Sequence, residues 1–106
     1  MKYNPQVVSA FFRSQGLPEP VYEHRFHPRR KWRFDLCFVE AKIAVEIQGG
    51  LFLAGGGRHN RGAALLKEYE KLNEAACLGF RVLYVAPKSL CMMDTVEIIK
   101  RAIQGK

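Results

Sequence analysis

Residues 32–50, WRFDLCFVEAKIAVEIQGG, decide the fold, because they predict two consecutive β-strands joined by a short turn. The first strand is WRFDLCFV and the second is KIAVEIQ, with Glu40 and Ala41 at the bend. Two acids, Asp35 and Glu46, interrupt these otherwise apolar strands. Removing a carboxylate from water is costly unless a positive charge or a hydrogen-bond donor meets it. The two acids therefore need a chemical partner.

The turn determines how the two acids face each other. In a hairpin centred between residues 40 and 41, Asp35 lies directly opposite Glu46. A four-residue loop over residues 39–42 keeps this register, whereas a three-residue loop or a bulge makes the acids diagonal neighbours. Side chains alternate between the two faces of a strand, so Glu46 shares its face with Gln48. The other face of this strand carries only apolar side chains, which we expect to be core: Ile43, Val45 and Ile47.

Two opposed carboxylates suggest a cation site. Directly opposite residues have Cβ atoms about 4.5–5.5 Å apart, and like charges at that distance destabilise a sheet. A divalent cation reverses the sign of this interaction, and Mg²⁺ is commonly held by one or two carboxylates, waters and substrate phosphates. A second interpretation is equally compatible with the spacing. In it, Asp35 pairs with Arg33 or Arg81 on a solvated face and Glu46 is exposed.

Basic residues flank the strands that carry the acids. The chain has 17 lysines and arginines against 10 acidic residues, a net charge of +7, and its isoelectric point is near 9.6. Two basic clusters, HRFHPRRKWR and GRHNRG, can neutralise DNA phosphates and release their counterions. The alternative is that these charges only keep a solvated turn soluble. The candidate DNA-binding residues are Arg29, Arg30, Lys31, Arg33, Arg58, His59 and Arg61.

The whole chain, residues 1–106, predicts a single α/β (α+β) domain. The predicted element order is α-β-β-β-α-β-α, a mixed sheet with helices packed on it. Asn4 followed by Pro5 is typical of a helix start, and Asp94 is the predicted N-cap of the last helix. The remaining elements are predicted over residues 21–26 (strand), 63–79 (helix) and 80–86 (strand). Because the last strand follows a helical crossover, we expect it to lie parallel to its neighbour.

Apolar residues at helical spacing predict which helix faces are buried. The first helix carries an apolar stripe of Val7, Val8, Phe11 and Phe12, and the predicted core positions of the second are Leu65, Tyr69, Leu72 and Ala76. The strand FRVLYVA near the carboxyl end is apolar enough to be a buried strand.

Cysteine usage and segment lengths favour a soluble, cytoplasmic protein. Cys37, Cys77 and Cys91 form no C-x-x-C pair, which favours reduced core thiols over a disulfide framework or a zinc site. No apolar segment approaches the length of a membrane span, and no signal-peptide pattern is present, so no membrane partner is expected. The glycine-rich segment over residues 49–62 lacks the P-loop and dinucleotide-binding patterns. No nucleotide cofactor is therefore expected.

Taken in order, several short motifs resemble a known superfamily of nucleases. An aspartate, ten residues and then Glu-x-Gln on the next strand resemble the catalytic signature of the PD-(D/E)XK superfamily, which has the restriction-endonuclease-like fold. The predicted element order also matches the core of that fold. WRFDLCFVEAKIAVEIQGG, GRHNRG and EKLNEAACLGFRVLYVAP are similar to small stand-alone members, namely phage-type endonucleases and relatives of the very-short-patch-repair fold. The resemblance extends over most of the chain.

The resemblance assigns roles to individual residues of the central hairpin. It implies that Asp35 and Glu46 are catalytic metal ligands and that the carbonyl oxygen of Ile47 is a further ligand. Gln48 stands where the superfamily most often has lysine. Glutamine can orient a water by hydrogen bonding, but it carries no charge and exchanges no proton near neutral pH.

Three further residues have two interpretations each. Glu23 is either an additional catalytic acid or a surface carboxylate paired with a nearby arginine. His59 is either a general acid or a phosphate contact, and its basic, glycine-rich surroundings favour the second. Lys71 either places positive charge near the scissile phosphate or pairs with an acid one turn away on its own helix, and we favour the helical pair.

The function implied by the resemblance is Mg²⁺-dependent hydrolysis of DNA phosphodiester bonds, with Mn²⁺ as a possible substitute. The small core favours branched DNA, such as Holliday junctions or flaps, cut by a homodimer in a bacterial or phage-infected cell. Mismatch nicking, restriction-type cutting of duplex DNA and action on RNA are alternatives within the nucleases. An alternative of another class is a non-catalytic nucleic-acid-binding module on the same fold.

Overall fold

A computed structural model of the chain describes residues 3–48 and 61–105. These residues form three helices and a four-stranded mixed sheet, which confirms the predicted fold class and element order. The elements are α1 (Pro5–Ser14), β1 (Val21–Arg25), β2 (Arg33–Phe38), β3 (Ile43–Ile47), α2 (Arg61–Cys77), β4 (Arg81–Val85) and α3 (Met93–Gln104). A short 3₁₀ turn over Pro87–Ser89 precedes α3.

The strands lie in the sheet in chain order, β1-β2-β3-β4. The pairs β1–β2 and β2–β3 are antiparallel, whereas β3 and β4 are parallel, as the helical crossover predicts. The carboxyl ends of β1, β3 and β4 therefore meet the start of β2 at one end of the sheet. The β1–β2 turn and the end of β3 both lie at this end.

Helices cover both faces of the sheet. Ile43, Val45 and Ile47 belong to the larger core, which includes residues of α1 and α3. The alternate residue Ala44 belongs to a smaller core on the opposite face, together with Ala75 of α2. The expectation that one face of β3 is uniformly core is confirmed.

The start of α1 is the one predicted from the sequence. The side-chain oxygen of Asn4 accepts hydrogen bonds from the backbone N–H groups of Gln6 and Val7, at 2.9 and 3.3 Å. This N-cap satisfies two donors that the first helical turn leaves without intrahelical partners. Of the apolar stripe, Val8 and Phe12 are buried, whereas Val7 is 58% exposed.

The turn between β2 and β3 is a four-residue loop over residues 39–42. The N–H of Lys42 donates to the carbonyl oxygen of Val39 at 3.1 Å, and Lys42 has a left-handed φ of 56°. This conformation costs a non-glycine residue about 1 kcal/mol. The Lys42 ammonium donates to the carbonyl oxygen of Leu78, directly after α2, at 2.7 Å, and a positive charge is favourable at this end of the helix. Glycine would adopt this left-handed φ without strain, but it could not make the hydrogen bond to Leu78.

Helix α2 presents a different face to the sheet from the one predicted. Tyr69 is 52% exposed and Ala76 is exposed, whereas Ala75 is fully buried. The residue one turn before Ala75 on this inner face is Lys71, whose side chain is only 13% exposed. The apolar pattern failed here because a buried charged residue occupies a position that the pattern assigns to the polar face.

Strand β4 is an edge strand rather than a buried one. Among its five residues only Val85 is buried, since no further strand pairs with its outer edge in the part of the chain that the structure describes.

The last helix starts at Met93, with Met92 at the N-cap position, so the prediction of Asp94 as N-cap is wrong. Asp94 lies instead in the first turn, where its charge is favourable to the helix dipole.

The three cysteines are free thiols, but only one is core. Cys37 is buried and Cys77 and Cys91 are exposed, so the expectation of core thiols holds for Cys37 alone. No helix among the described residues is long and apolar enough to cross a membrane.

Candidate functional site

The predicted register of the central hairpin is confirmed. The paired residues of β2 and β3 are Leu36 with Val45, Cys37 with Ala44, and Phe38 with Ile43. The same register, extended by one residue, places Asp35 directly opposite Glu46. The two acids thus come from adjacent strands at the end of the sheet where β3 and β4 terminate.

Beyond Leu36, the two acids replace the regular pairing of β2 and β3 with contacts of their own. The Glu46 oxygen Oε2 accepts a hydrogen bond from the backbone N–H of Asp35 at 3.0 Å. The Asp35 oxygen Oδ2 accepts one from the backbone N–H of Ile47 at 2.7 Å. Each carboxylate therefore binds the backbone of the other strand, and this reciprocal arrangement fixes both side chains.

Glu46 is buried, which is unusual for a carboxylate, whereas Asp35 is half-buried. The residue surface of Glu46 is only 5% exposed, so its interpretation as an exposed carboxylate is wrong. Burial raises the pKa of Glu46, and the hydrogen bond and charge of Lys71 offset part of that rise. Asp35 forms no ion pair with Arg33 or Arg81 among the described residues, and the Arg81 guanidinium instead donates to the carbonyl oxygen of Ala102.

Lys71 of α2 supplies the positive charge that the buried acid needs. Its ammonium group donates to Glu46 Oε1 and lies 5.7 Å from the centre of the Phe34 ring. The favoured interpretation, in which Lys71 pairs with an acid on its own helix, is therefore wrong. The physical reason is the inner position of Lys71 on α2, which directs its four-carbon chain along the sheet to the nearest buried carboxylate.

Gln48 follows β3 directly and is positioned by its backbone. Its N–H donates to the carbonyl oxygen of Val85 at 2.9 Å, which extends the pairing of β3 with β4 by one residue. Its side-chain oxygen Oε1 is buried and meets no hydrogen-bond donor among the described residues. An amide oxygen in this condition has an unused capacity to accept from a water or to contact a cation.

Glu68 is a further acid near the site that the sequence analysis did not select. It precedes Lys71 by three residues on α2, so the two side chains lie on neighbouring parts of the helix surface. Its oxygen Oε2 is buried and, like Gln48 Oε1, finds no donor in the described part of the chain. The only feature of the sequence that could have selected Glu68 is its spacing of three residues from Lys71 on a helix.

Two tyrosines near the acids were also missed. The Tyr3 hydroxyl donates to the carbonyl oxygen of Asp35 at 3.3 Å, and burial together with the charges of Asp35 and Glu23 raises its pKa to about 12. Tyr84 pairs in register with Glu46. Burial raises its pKa to about 12 as well, and Glu68 and Glu46 add to the rise. Neither tyrosine lies within the hairpin, so no sequence spacing connects it to the acids.

Glu23 lies near Asp35 but on an irregular part of β1. The pairing of His24 with Phe34 and of Tyr22 with Leu36 leaves Glu23 and Asp35 facing each other without a regular pair between them. Glu23 has a left-handed φ of 51° and an exposed side chain. Within the described residues it forms no ion pair with Arg25 or Arg33. Its catalytic role stays a prediction.

The basic β1–β2 turn is held against α2. Arg30 pairs with Glu70 at 3.0 Å and lies over the ring of Trp32 at 4.0 Å. The neighbouring candidates are exposed and form no ion pair within the residues that the structure describes: Arg29, Lys31 and Arg33. Arg30 is therefore partly neutralised, whereas its neighbours present their charges to solvent.

Three of the predicted phosphate-binding residues have side chains outside the described part of the chain. Arg58 and His59 lie outside the described residues, as does the rest of the glycine-rich segment over residues 49–60. Arg61 is the first residue of α2, but its side chain also lies outside the described part. Their phosphate-binding roles stay predictions.

The donor set of the hairpin is compatible with a hard cation. It offers two carboxylates and the buried oxygen of Gln48, and oxygen ligands of this kind suit Mg²⁺ when waters or phosphates complete the shell. The pair already attracts one internal cation, the Lys71 ammonium. Among the described residues, no three histidine, cysteine, aspartate or glutamate side chains are placed to hold a metal ion together, so a cation would be bound by Asp35 and Glu46. The carbonyl oxygen of Ile47 as a further ligand stays a prediction.

Comparison with protein-family models, with curated proteins and with solved structures finds no match to this chain.

Proposed function

We propose that the chain is a Mg²⁺-dependent DNA endonuclease with a restriction-endonuclease-like core. The observation that carries the proposal is the reciprocal contact of Asp35 and Glu46 between β2 and β3, with Glu46 buried and the Lys71 ammonium of α2 beside it. Two acids in this position destabilise an empty sheet and stabilise a bound cation. The element order around them is also the order of the core that the sequence motifs resemble.

Phosphodiester hydrolysis needs a positioned water and positive charge close to the phosphate. A bound Mg²⁺ lowers the pKa of a coordinated water and polarises the phosphate. Asp35 and Glu46 would hold it, and their reciprocal hydrogen bonds to the two strands keep both carboxylates in place. A rigid carboxylate pair avoids reorganisation when a charged substrate arrives.

Gln48 and Lys71 divide the role that one lysine has in most of the superfamily. Gln48 orients water through its buried amide oxygen, which has no protein donor among the described residues. Lys71 supplies the fixed positive charge from α2, on the side of the site where its ammonium meets Glu46. Glutamine in place of lysine directly after β3 is therefore compatible with catalysis.

DNA would approach the end of the sheet at which the acids lie. The β1–β2 turn is at the same end and exposes Arg29, Lys31 and Arg33, which form no ion pairs among the described residues. Charges of this kind bind phosphates without reading sequence. We further propose that the substrate is branched DNA, a Holliday junction or flap, and that the active form is a homodimer.

Cleavage assays with isosteric variants test the proposal. Asp35→Asn and Glu46→Gln remove one charge each but retain an oxygen for the backbone N–H groups of Ile47 and Asp35. We expect the wild-type protein to cut junction or flap DNA with Mg²⁺ or Mn²⁺, and each variant to lose about 100-fold or more of the rate while still binding DNA. Equal, metal-independent cutting by all three proteins would exclude the mechanism. Duplex DNA, mismatched DNA, single strands and RNA in the same assay test the alternative substrates.

A non-catalytic nucleic-acid-binding module is the second candidate. Its support is that Glu46 and Asp35 already accept hydrogen bonds from Lys71 and two backbone N–H groups, so the acids have partners without a cation. This function predicts that the wild-type protein binds DNA, binds no Mn²⁺ and cuts no substrate with either cation. Calorimetric titration of the wild-type protein with Mn²⁺ separates the two candidates.

A further inference from the structure

The carboxylate pair holds an internal cation at the position where the proposed function requires a divalent one. Glu46 Oε1 accepts from the Lys71 ammonium and Glu46 Oε2 accepts from the backbone N–H of Asp35. Both oxygens of the buried acid are therefore engaged by donors of the chain itself. A divalent cation that binds Glu46 through Oε1 has to take the place of the ammonium.

We infer that Lys71 is an exchangeable counter-ion, which neutralises Glu46 in the cation-free protein and is displaced when a divalent cation binds. The inference rests on the proposed function, because it assumes that the acid pair is a cation site. Two positive groups cannot share one carboxylate oxygen at contact distance, since their mutual repulsion grows as the surrounding water is removed. Lys71 thereby sets the affinity of the site for the cation.

The alternative to exchange is a permanent ion pair, and the surroundings of Lys71 argue against it. Its ammonium sits at the end of a flexible four-carbon chain anchored on α2, so it can move without any change in the helix. Glu68, three residues earlier on the same helix, has a buried oxygen Oε2 that meets no donor among the described residues. This oxygen is an acceptor within reach of a displaced ammonium.

The exchange has a structural consequence for both states. Without a divalent cation, Lys71 prevents Glu46 from being a buried and unpaired charge, which is among the most destabilising features in a protein. With the cation bound, the ammonium is released towards Glu68 or towards the phosphate of a bound substrate. When a substrate is present, binding of the cation therefore also frees a positive charge that can contact the substrate phosphate.

Cation binding by a charge-free variant of Lys71 tests the exchange. In Lys71→Met the competitor is removed and the apolar stem is kept, so we expect Mn²⁺ to bind about tenfold tighter or better by isothermal titration calorimetry. We also expect the cation-free variant to melt at a lower temperature than the wild type, and saturating Mn²⁺ to raise its melting temperature by more than it raises that of the wild type. Lys67→Met is the matched control, because Lys67 lies one turn earlier on α2 and is exposed. It should match the wild type in both measurements.

The outcomes separate this inference from the proposed function. If wild type and Lys71→Met both bind Mn²⁺ with equal affinity, the exchange is excluded and the cation site stands. If both are folded and neither binds Mn²⁺ or Mg²⁺, the cation site itself is excluded. If Lys71→Met fails to fold, NMR spectroscopy of the wild-type protein tests the exchange instead. The side-chain ammonium resonance of Lys71 then has to shift on saturation with Mg²⁺ while that of Lys67 stays in place, and an unmoved Lys71 resonance would overturn the exchange.

Discussion

The Tyr3 hydroxyl contacts the backbone of Asp35 in β2, although Tyr3 belongs to the segment before α1. Its pKa is raised to about 12, first by burial and then by the charges of Asp35 and Glu23. The tyrosine therefore stays neutral throughout the physiological range and donates a hydrogen bond to the carbonyl oxygen of Asp35. A neutral donor at this point anchors the start of the chain to β2 without adding a further negative charge to the site.

This raised pKa makes stability depend on alkaline pH in a defined direction. The folded protein retains the Tyr3 proton above the usual pKa near 10, so the stabilisation is complete below pH 10 and is lost as pH rises towards 12. We expect the free energy of unfolding to fall more steeply above pH 10 in the wild type than in Tyr3→Phe, by roughly 1 kcal/mol after allowance for partial exposure. Urea titrations of both proteins at several alkaline pH values measure the difference. Parallel curves would show that the phenol is not perturbed.

The residues of the site differ in how far the sequence could predict them. Asp35, Glu46 and Gln48 belong to one hairpin, so the period of a strand and the length of one loop determine their relative positions. Lys71 and Tyr84 come from other elements. Their proximity depends on the packing of α2 on the sheet and on the parallel register of β4, which no local spacing encodes.

At the scale of elements, the β1–β2 turn is attached to α2 by a half-buried histidine. His27 Nδ1 accepts hydrogen bonds from the backbone N–H groups of Arg29 and Arg30, at 3.1 and 3.0 Å. Because Nδ1 is an acceptor, the ring proton is on Nε2, which donates to Glu74 Oε1 at 2.8 Å. One imidazole thus shapes the turn and ties it to the helix.

A double-mutant cycle measures the strength of this attachment. We expect His27→Ala to destabilise the protein by about 2 kcal/mol, because two backbone donors and one carboxylate lose a partner, and we expect a coupling of about 1 kcal/mol with Glu74→Ala. The exposed pair Arg13–Glu19, whose charged atoms are 3.8 Å apart, is the control. Its coupling should stay below about 0.5 kcal/mol. Equal coupling energies for the two pairs would contradict the attachment.

Element order was predictable from the sequence, whereas the burial of individual elements was not. The hairpin, the helical crossover and the start of α1 follow from local signals such as Asn4 and Pro5. The exposure of Tyr69 and of most of β4 depends on which elements cover which face, and an apolar pattern contains no information on that. The sequence predicted a buried β4 because an apolar edge strand and a buried strand have similar composition.

At the scale of the whole molecule, the positive charges divide between two environments. Some are neutralised within the fold, as Lys71 is by Glu46 and Arg30 is by Glu70. Others, including Arg29 and Lys31, face solvent beside the end of the sheet that carries the acids. A net charge of +7 therefore does not describe the surface that a polyanion meets. The charge that a polyanion meets is the local excess of positive charge at the β1–β2 turn.

This distribution predicts how DNA affinity depends on salt. Each phosphate neutralised on duplex DNA contributes about 0.9 to the slope of log affinity against log salt concentration. Replacing Arg29 and Lys31 by alanine should therefore weaken binding and reduce the slope by about 2, without changing the preference among sequences. Fluorescence anisotropy at several salt concentrations measures both quantities. Alanine replacement of Lys100 and Arg101 on α3 removes the same charge from the opposite side of the sheet and should change the slope far less. If both pairs reduce it equally, DNA responds to the net charge and not to the turn.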